Sequence, residues 1–273
     1  MTPPRPLRRI TSPRNPTLAL VRHLQHKRER RERRLLVAEG EDLVQAALAR
    51  GVRPIAVLVD GDRVADDDPL LANLAEVDER YSVPGALLAK ASNLAHPPRM
   101  LAIFPQPGPH HFRTVTFPPS IALYLAGVAD PGNVGTLVRT AAALGCDWVA
   151  LGPGSADVAN PKAVRAAMGA TFAIPILEGV SPRDLGSRDG FQVVAAVATG
   201  GLPPWDADLT RPTVLALGAE RAGLASVLPE MEGGLPVVRV TIPQQAGADS
   251  LNVTAAGAAI LAEVVRQRTR SVT

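Results

Sequence analysis

IPQQAGADSLNVTAAGAAILAEVVRQR, residues 242–268, is the stretch from which the chain is best read. It runs from the end of a strand through a polar, glycine-bearing loop into one long helix. Ser250 offers the side-chain oxygen of an N-cap, an acceptor for the orphan N–H groups of a first turn. Asn252 then falls inside that turn, where its amide competes with the backbone for hydrogen bonds. Val253, Ala256, Ile260, Leu261, Val264 and Val265 recur at helical spacing and predict one apolar face. The small residues Ala255 to Ala259 leave room for another backbone to approach closely. A polar loop poised on a helix N-terminus is a place to bind a ligand. An ordinary capped terminal helix reads the same way in isolation, so the rest of the chain has to decide.

Working back from this stretch, short apolar runs alternate with helices and loops. IALYLAGV (121–128), CDWVALG (146–152), TFAIPIL (171–177), FQVVAAVA (191–198), TVLALG (213–218) and VVRVTI (237–242) are the expected strands. DPGNVG (130–135) reads as a turn, TLVRTAAALG (136–145) as a helix, and PKAVRAAMG (161–169) as a second helix with Pro161 at its first position. The pattern predicts a parallel, doubly wound α/β sheet, in which ligands bind at loops past the carboxyl ends of strands. Those loops are DPGNVG, TGG (199–201), GAERAG (218–223) and PQQAGADS (243–250).

The first hundred residues form a smaller α/β pattern. A helix is expected over 15–34, a strand at 35–40, a helix at 41–51 and a strand at 54–60. An acidic turn (61–68), helices near 69–79 and 84–92, and a strand at 99–105 follow. The proline-rich QPGPHHFRTVTFPPS (106–120) breaks the periodicity. The expected organisation is therefore a first domain over 1–107, a linker over 108–119 and a second domain over 120–273.

The net charge of +3 hides an asymmetry. Residues 1–40 hold eleven basic side chains against Glu29, Glu32 and Glu39, and the remainder is slightly acidic. A basic end on a near-neutral body suggests a polyanionic partner, although KRERRERR also interleaves both signs as a solvated helix face does. Arg14, Arg22, Lys27, Arg28, Arg30 and Arg31 are the expected phosphate contacts. No run of about 18 apolar residues is present, and MTPPRPLRRI lacks an apolar signal core, so the expectation is a cytoplasmic protein. Cys146 is the single cysteine, which excludes an intramolecular disulfide and a multi-cysteine zinc site. It opens an apolar strand and reads as core.

Two further segments carry chemistry-bearing residues. In DPGNVGTLVRT, Gly132 and Gly135 permit tight backbone turns, Asn133 fixes the loop, and Arg139 lies a turn into the following helix. In LGAERAGL, Gly218 permits close backbone approach and Glu220 sets a carboxylate at a helix start. The dinucleotide fingerprint GxGxxG does not follow the first strand of this half, and GxxxxGK[ST] is absent. All five histidines precede residue 112, so the second half has no imidazole base, triad or histidine metal site, and no metal is expected.

Together, DPGNVGTLVRTAAALG, LGAERAGL and IPQQAGADSLNVTAAGAAI resemble, in order and spacing, the three motifs of the SpoU/TrmH RNA 2′-O-ribose methyltransferases. NPKAVRAAMGA (160–170) resembles the family's segment between motifs, and ITSPRNPTLALVRHL with LLVAEGEDLVQAAL is similar to the N-terminal RNA-binding domain of many members. The resemblance implies a trefoil-knotted SPOUT domain behind a ribosomal-protein-like RNA-binding domain. It also implies S-adenosylmethionine as cofactor and a homodimer whose active site draws on both subunits. By position, Leu217, Gly218, Ile242, Gln244 and Leu251 match cofactor-binding positions, with Thr199 and Gly200 near the methionine end. Asn133, Arg139, Glu220, Ser250 and Asn252 match the polar active-site positions. Gln244 departs from the methionine that many members carry after Ile-Pro.

The implied activity is 2′-O-methylation of structured RNA, with ribosomal RNA the first expectation for substrate and transfer RNA the second. Some ribosomal-RNA members with this layout confer antibiotic resistance. A non-catalytic RNA-binding protein on the same fold is the rival reading, which the intact polar set argues against. A nicotinamide oxidoreductase is the other, which the missing fingerprint argues against.

Overall fold

The computed structural model describes residues 7–65, 68–107, 114–220, 222–245 and 250–270. Of the segments read above, residues 1–6, two residues of the acidic turn, residues 108–113 of the linker, Arg221 of GAERAG and residues 246–249 of the last loop lie outside these. The chain divides into two compact units, Met1–Pro107 with Asp157–Phe172, and Gly108–Ala156 with Ala173–Thr273.

The elements of the chain, in order, begin with β1 (Arg8–Arg9), α1 (Pro16–His23), α2 (Lys27–Arg33), β2 (Leu35–Glu39) and α3 (Glu41–Leu48). β3 (Ala56–Asp60), β4 (Arg80–Val83), α4 (Gly85–Ala91) and β5 (Met100–Pro105) follow. After them come β6 (Ile121–Ala126), α5 (Pro131–Ala143), β7 (Trp148–Leu151), α6 (Pro161–Ala167), β8 (Ile176–Glu178) and α7 (Pro182–Gly186). The chain closes with β9 (Gln192–Ala196), β10 (Thr213–Gly218), α8 (Leu228–Glu232), β11 (Val237–Val240) and α9 (Val253–Arg270).

The first unit is a five-stranded mixed sheet in the order β1-β4-β3-β5-β2. β5 pairs antiparallel with both β2 and β3, whereas β4 pairs parallel with β3 and β1. β2, β3 and β5 carry apolar residues on both faces because both faces are covered. Leu36, Ala38, Val57, Val59, Met100 and Ala102 point to one core, shared with Leu43, Val44 and Ala47 of α3 and with Val164 of α6. Val37, Leu58, Leu101 and Ile103, one residue out of phase, point to the other, shared with Leu18 and Val21 of α1 and Leu88 of α4. Residues 157–172 are thus part of this unit's interior: Phe172 packs on Phe104 at 5.1 Å between ring centres. A Cβ on Gly169, which has φ +85°, would sit 2.4 Å from the Ala46 methyl.

Two expectations change here, and the strand β4 was not foreseen. The helix expected over 15–34 is two helices. The apolar stripe ends at Leu24, and KRERRER offers no apolar residue to bury, so the chain turns at 24–26 and anchors α2 through Arg30 instead. The helix expected near 69–79 is only a 3₁₀ segment, Pro69–Leu74, capped by the Asp68 carboxylate on the Leu70 N–H at 2.9 Å. The chain then enters β4, RYSV, whose alternating polar residues gave no apolar run to read.

The second unit is a six-stranded parallel sheet in the order β11-β9-β10-β6-β7-β8. One face holds Tyr124, Trp148, Val193 and Val214 against Leu185 of α7 and Met231 of α8. α5 and α9 pack together, α5 on β6 and β7 and α9 on β10. A Cβ on Gly257 of α9 would meet Leu217 of β10 at 2.7 Å and Leu137 of α5 at 2.8 Å. The stripe of small residues therefore admits side chains of the two neighbouring elements rather than a backbone. At the far end of α9, the Arg268 guanidinium donates to the carbonyls of Ser120 at 2.6 Å and Leu209 at 3.2 Å and to that of Arg211. Among the described residues no helix is long and apolar enough to cross a membrane.

Candidate active site

The carboxyl ends of β9, β10 and β11 are laced together by their own loops. The Val197 N–H donates to the Val240 carbonyl at 2.9 Å, and the Gly201 N–H donates to the Thr241 hydroxyl at 2.9 Å. After β10 the chain folds back on itself, the Gly223 N–H reaching the Ala219 carbonyl at 2.8 Å. This reversal brings Gly223 so close to Gly218 that a Cβ at residue 218 would lie 2.1 Å from the Gly223 carbonyl carbon. Glycine at 218 is thus a steric requirement.

These loops and the start of α9 enclose a pocket of about 380 Å³, within the usual range of roughly 300–1,000 Å³ for small-molecule sites. Leu217, Gly218, Glu220, Ile242, Gln244, Ser250, Leu251 and Asn252 line it, eight of the twelve residues expected at the active or cofactor site. Leu251 is 44 % exposed, an apolar side chain without cover inside a pocket. Alanines and valines at the strand ends, among them Ala196, Ala198 and Val240, complete the apolar wall. They fall in the expected strands FQVVAAVA and VVRVTI without being singled out there; their place at the carboxyl ends of parallel strands was the available signal.

Asn133 lies outside the pocket wall, but its side-chain amide donates to the Glu220 carboxylate. α5 begins earlier than expected, and this makes the bond possible. Asp130 accepts from the Asn133 N–H at 2.9 Å and Pro131 takes the first helical position, so DPGNVG is the first helical turn and not a free loop. Arg139 sits six residues on in α5, exposed, and has no hydrogen-bond or ion-pair partner among the described residues. It does not line the pocket. Thr199 and Gly200 follow the lining residue Ala198 and are exposed just beyond the wall, Gly200 with φ +77°.

The N-cap of α9 also differs from expectation. The Asn252 side chain accepts from the Thr254 N–H at 2.8 Å, and its carbonyl accepts the first intrahelical bond, from Ala256, at 3.0 Å. Asn252, and not Ser250, is therefore the cap, so its amide supports the helix start instead of competing with it. Ser250 stands in the preceding loop and lines the pocket. Cys146 is 8 % exposed, and burial, with the Asp147 carboxylate second, pushes its thiol up to about 12. It is a core thiol, as its sequence position suggests. Among the described residues no cluster of three or more histidine, cysteine, aspartate or glutamate side chains is arranged to hold a metal.

The expected phosphate contacts divide. Arg14, Lys27 and Arg31 are exposed with no ion pair among the described residues. The Arg22 guanidinium donates to the Pro13 carbonyl at 3.1 Å. Arg28 pairs with Glu32 at 2.7 Å along α2, and Arg33 pairs with Glu29 in the same way, holding that carboxyl below its usual range. Arg30 is a correction. Its side chain is 2 % exposed, paired with Asp157 at 2.8 Å, and donates to the Leu24 and Gln25 carbonyls at 2.9 and 2.8 Å. No face of that guanidinium is left for a phosphate.

A parallel sheet with a small-residue pocket at its carboxyl ends and one carboxylate on the rim defines a cofactor-binding α/β enzyme. Residues 120–262 match the model of the SpoU rRNA Methylase family, and residues 15–102 match the MRM3-like substrate binding domain. A Synechocystis protein named as an uncharacterized tRNA/rRNA methyltransferase is 32% identical over 95% of this chain and 94% of its own length. The 23S rRNA (uridine(2479)-2′-O)-methyltransferase of Streptomyces viridochromogenes is 30% identical over 96% of this chain and 93% of its own. The crystal structure of an AdoMet-bound rRNA methyltransferase from Sinorhizobium meliloti superposes with a TM-score of 0.82 at 30% identity, covering 96% of this chain and 98% of that one. The chain belongs to the SpoU rRNA methylase family, and it is a methyltransferase.

Proposed function

We propose that this protein transfers the methyl group of S-adenosylmethionine to the 2′-oxygen of one ribose in ribosomal RNA. The observation that carries this reading is the single pocket wall formed by the second and third family motifs, with the first motif's Asn133 bound to its rim carboxylate. The apolar wall suits a purine and a thioether chain, and Ser250, Asn252 and Gln244 are uncharged polar residues of the same lining. Bound there, the cofactor supplies a methyl group already activated by its sulfonium. The protein's own task is then to align a ribose hydroxyl and to manage its proton.

Arg139 is suited to the second task as a clamp rather than a base. A guanidinium stays protonated near neutral pH, so it holds the phosphate beside the target ribose and stabilises charge developing on the 2′-oxygen. The proton passes to that phosphate or to water. Six residues along a helix is about 120° around it from Asn133, which turns Arg139 away from the rim of its own pocket. That supports a homodimer in which Arg139 serves the partner's site. The exposed, unpaired Lys27 and Arg31, with Arg14, are the phosphate contacts of the first unit. Family membership also carries the expectation of a trefoil knot, which the return of α9 from edge strand β11 to α5 and β10 supports. The place of work is the cytoplasm, where ribosomal RNA is handled.

Methyl transfer from labelled S-adenosylmethionine to ribosomal and transfer RNA pools, isolated from a strain lacking the gene, tests the proposal. Label in a 2′-O-methylated nucleoside of ribosomal RNA is the expected result. Label only in transfer RNA would overturn the substrate, and absence of both label and cofactor binding would overturn the activity.

A further inference from the structure

Among the described residues that line the pocket, Glu220 alone is ionisable. Its carboxylate has no ion pair there; the contact that holds it is the neutral Asn133 amide, whose own backbone is fixed by the Asp130 cap. The pocket therefore carries one negative charge, fixed in position and not neutralised by a neighbouring cation among the described residues.

This has a specific consequence if the pocket takes S-adenosylmethionine, as proposed above. Cofactor and product share the adenosine, the amino group and the carboxylate. They differ by one methyl group and one positive charge, because loss of the methyl converts a sulfonium cation to a neutral thioether. Groups that touch the shared parts bind both molecules alike and cannot separate them. We propose that the Asn133-held carboxylate of Glu220 is the element that reads this charge. It favours the cofactor over S-adenosylhomocysteine and loosens the product once the sulfonium is gone.

The expected size is modest because Glu220 is exposed. A charge pair about 4 Å apart in a water-like medium is worth about 1 kcal/mol, or roughly a fivefold preference. Calorimetric titration of the intact protein with each of the two ligands measures it directly, without turnover. The unaltered protein is expected to bind S-adenosylmethionine about fivefold tighter. Glu220→Gln is expected to bring the two affinities together by weakening the cofactor while leaving S-adenosylhomocysteine unchanged. The preference in the unaltered protein is also expected to shrink between 0.1 M and 1 M salt, as the screening length falls from about 10 Å to about 3 Å. That second measurement holds even if the variant folds poorly.

An unchanged ratio in Glu220→Gln, a ratio insensitive to salt, or equal affinities in the unaltered protein would each overturn the assignment while leaving the cofactor reading intact. Failure of both ligands to bind the unaltered protein would instead overturn the cofactor reading itself.

Discussion

Replacing Arg30 by methionine separates an interior arginine from a phosphate-binding one. The Arg30 and Asp157 side chains are 2 % and 7 % exposed. Arg30→Met keeps most of the apolar volume but leaves the Asp157 carboxylate buried with the Ala159 N–H, at 2.9 Å, as its one side-chain partner among the described residues. It also removes the charged donor from the Leu24 and Gln25 carbonyls. Removing one partner of such a pair costs about 3–5 kcal/mol, a large share of the roughly 5–15 kcal/mol that holds a domain folded. The exposed Arg28–Glu32 pair, 83% and 55% exposed, is the internal control; Arg28→Met should leave the unfolding midpoint almost unchanged, because solvent screens an exposed pair. Urea unfolding followed by far-ultraviolet circular dichroism compares the two. The double variant Arg30→Met, Asp157→Leu should recover most of the loss, since an apolar pair of similar size leaves no charge stranded. In RNA binding, Lys27→Met should lower the salt slope by about one unit, and Arg30→Met, under conditions where it is folded, should leave it unchanged. A loss below about 1 kcal/mol for Arg30→Met, or a salt slope that falls as it does for Lys27→Met, would refute the burial argument.

Gly218→Ala should abolish cofactor binding, because its Cβ meets the Gly223 backbone at 2.1 Å and no side chain can yield; calorimetry on protein shown to be folded by circular dichroism checks this. Asn252→Ala should cost about 1 kcal/mol through the lost cap on Thr254, and Asn252→Ser should restore part of it, as thermal unfolding will show. The Cys146 thiol, pushed up to about 12 by burial, should hold roughly 10³-fold less thiolate than an ordinary thiol of pKa about 8.5. It should therefore react slowly with a thiol reagent at pH 8 until the protein is unfolded in denaturant. The same shift means that stability from the neutral thiol is complete below the ordinary value and fades as pH rises toward about 12, so Cys146→Ala should flatten the alkaline side of the stability profile.

The parallel sheet was legible because its strands are buried on both faces and read as continuous apolar runs, as TVLALG does at β10. β4 was not legible, since RYSV mixes buried Arg80 and Val83 with half-exposed Tyr81 and Ser82 and owes its strand state to pairing with β3. At the site, motif residues such as Gly218 and Asn252 could be named from sequence, but the bond from Asn133 to Glu220 joins positions 87 residues apart and follows from where α5 starts. The basic run misled at Arg30 because the acid that buries it, Asp157, lies 127 residues away.

That separation bears on how the protein is made. When the first 107 residues have left the ribosome, Arg30 and Glu39 lack their ion-pair partners, because Asp157 and Arg165 have yet to be synthesised. Val164, which belongs to the same apolar core as Leu36 and Phe104, is also missing at that point. The first unit must therefore wait, with two charges and part of a sheet face exposed, until synthesis has passed residue 172. Exchange of N-terminal units between relatives faces the same constraint. A transplanted unit arrives without the acid and the arginine that complete its interior unless the 157–172 segment travels with it.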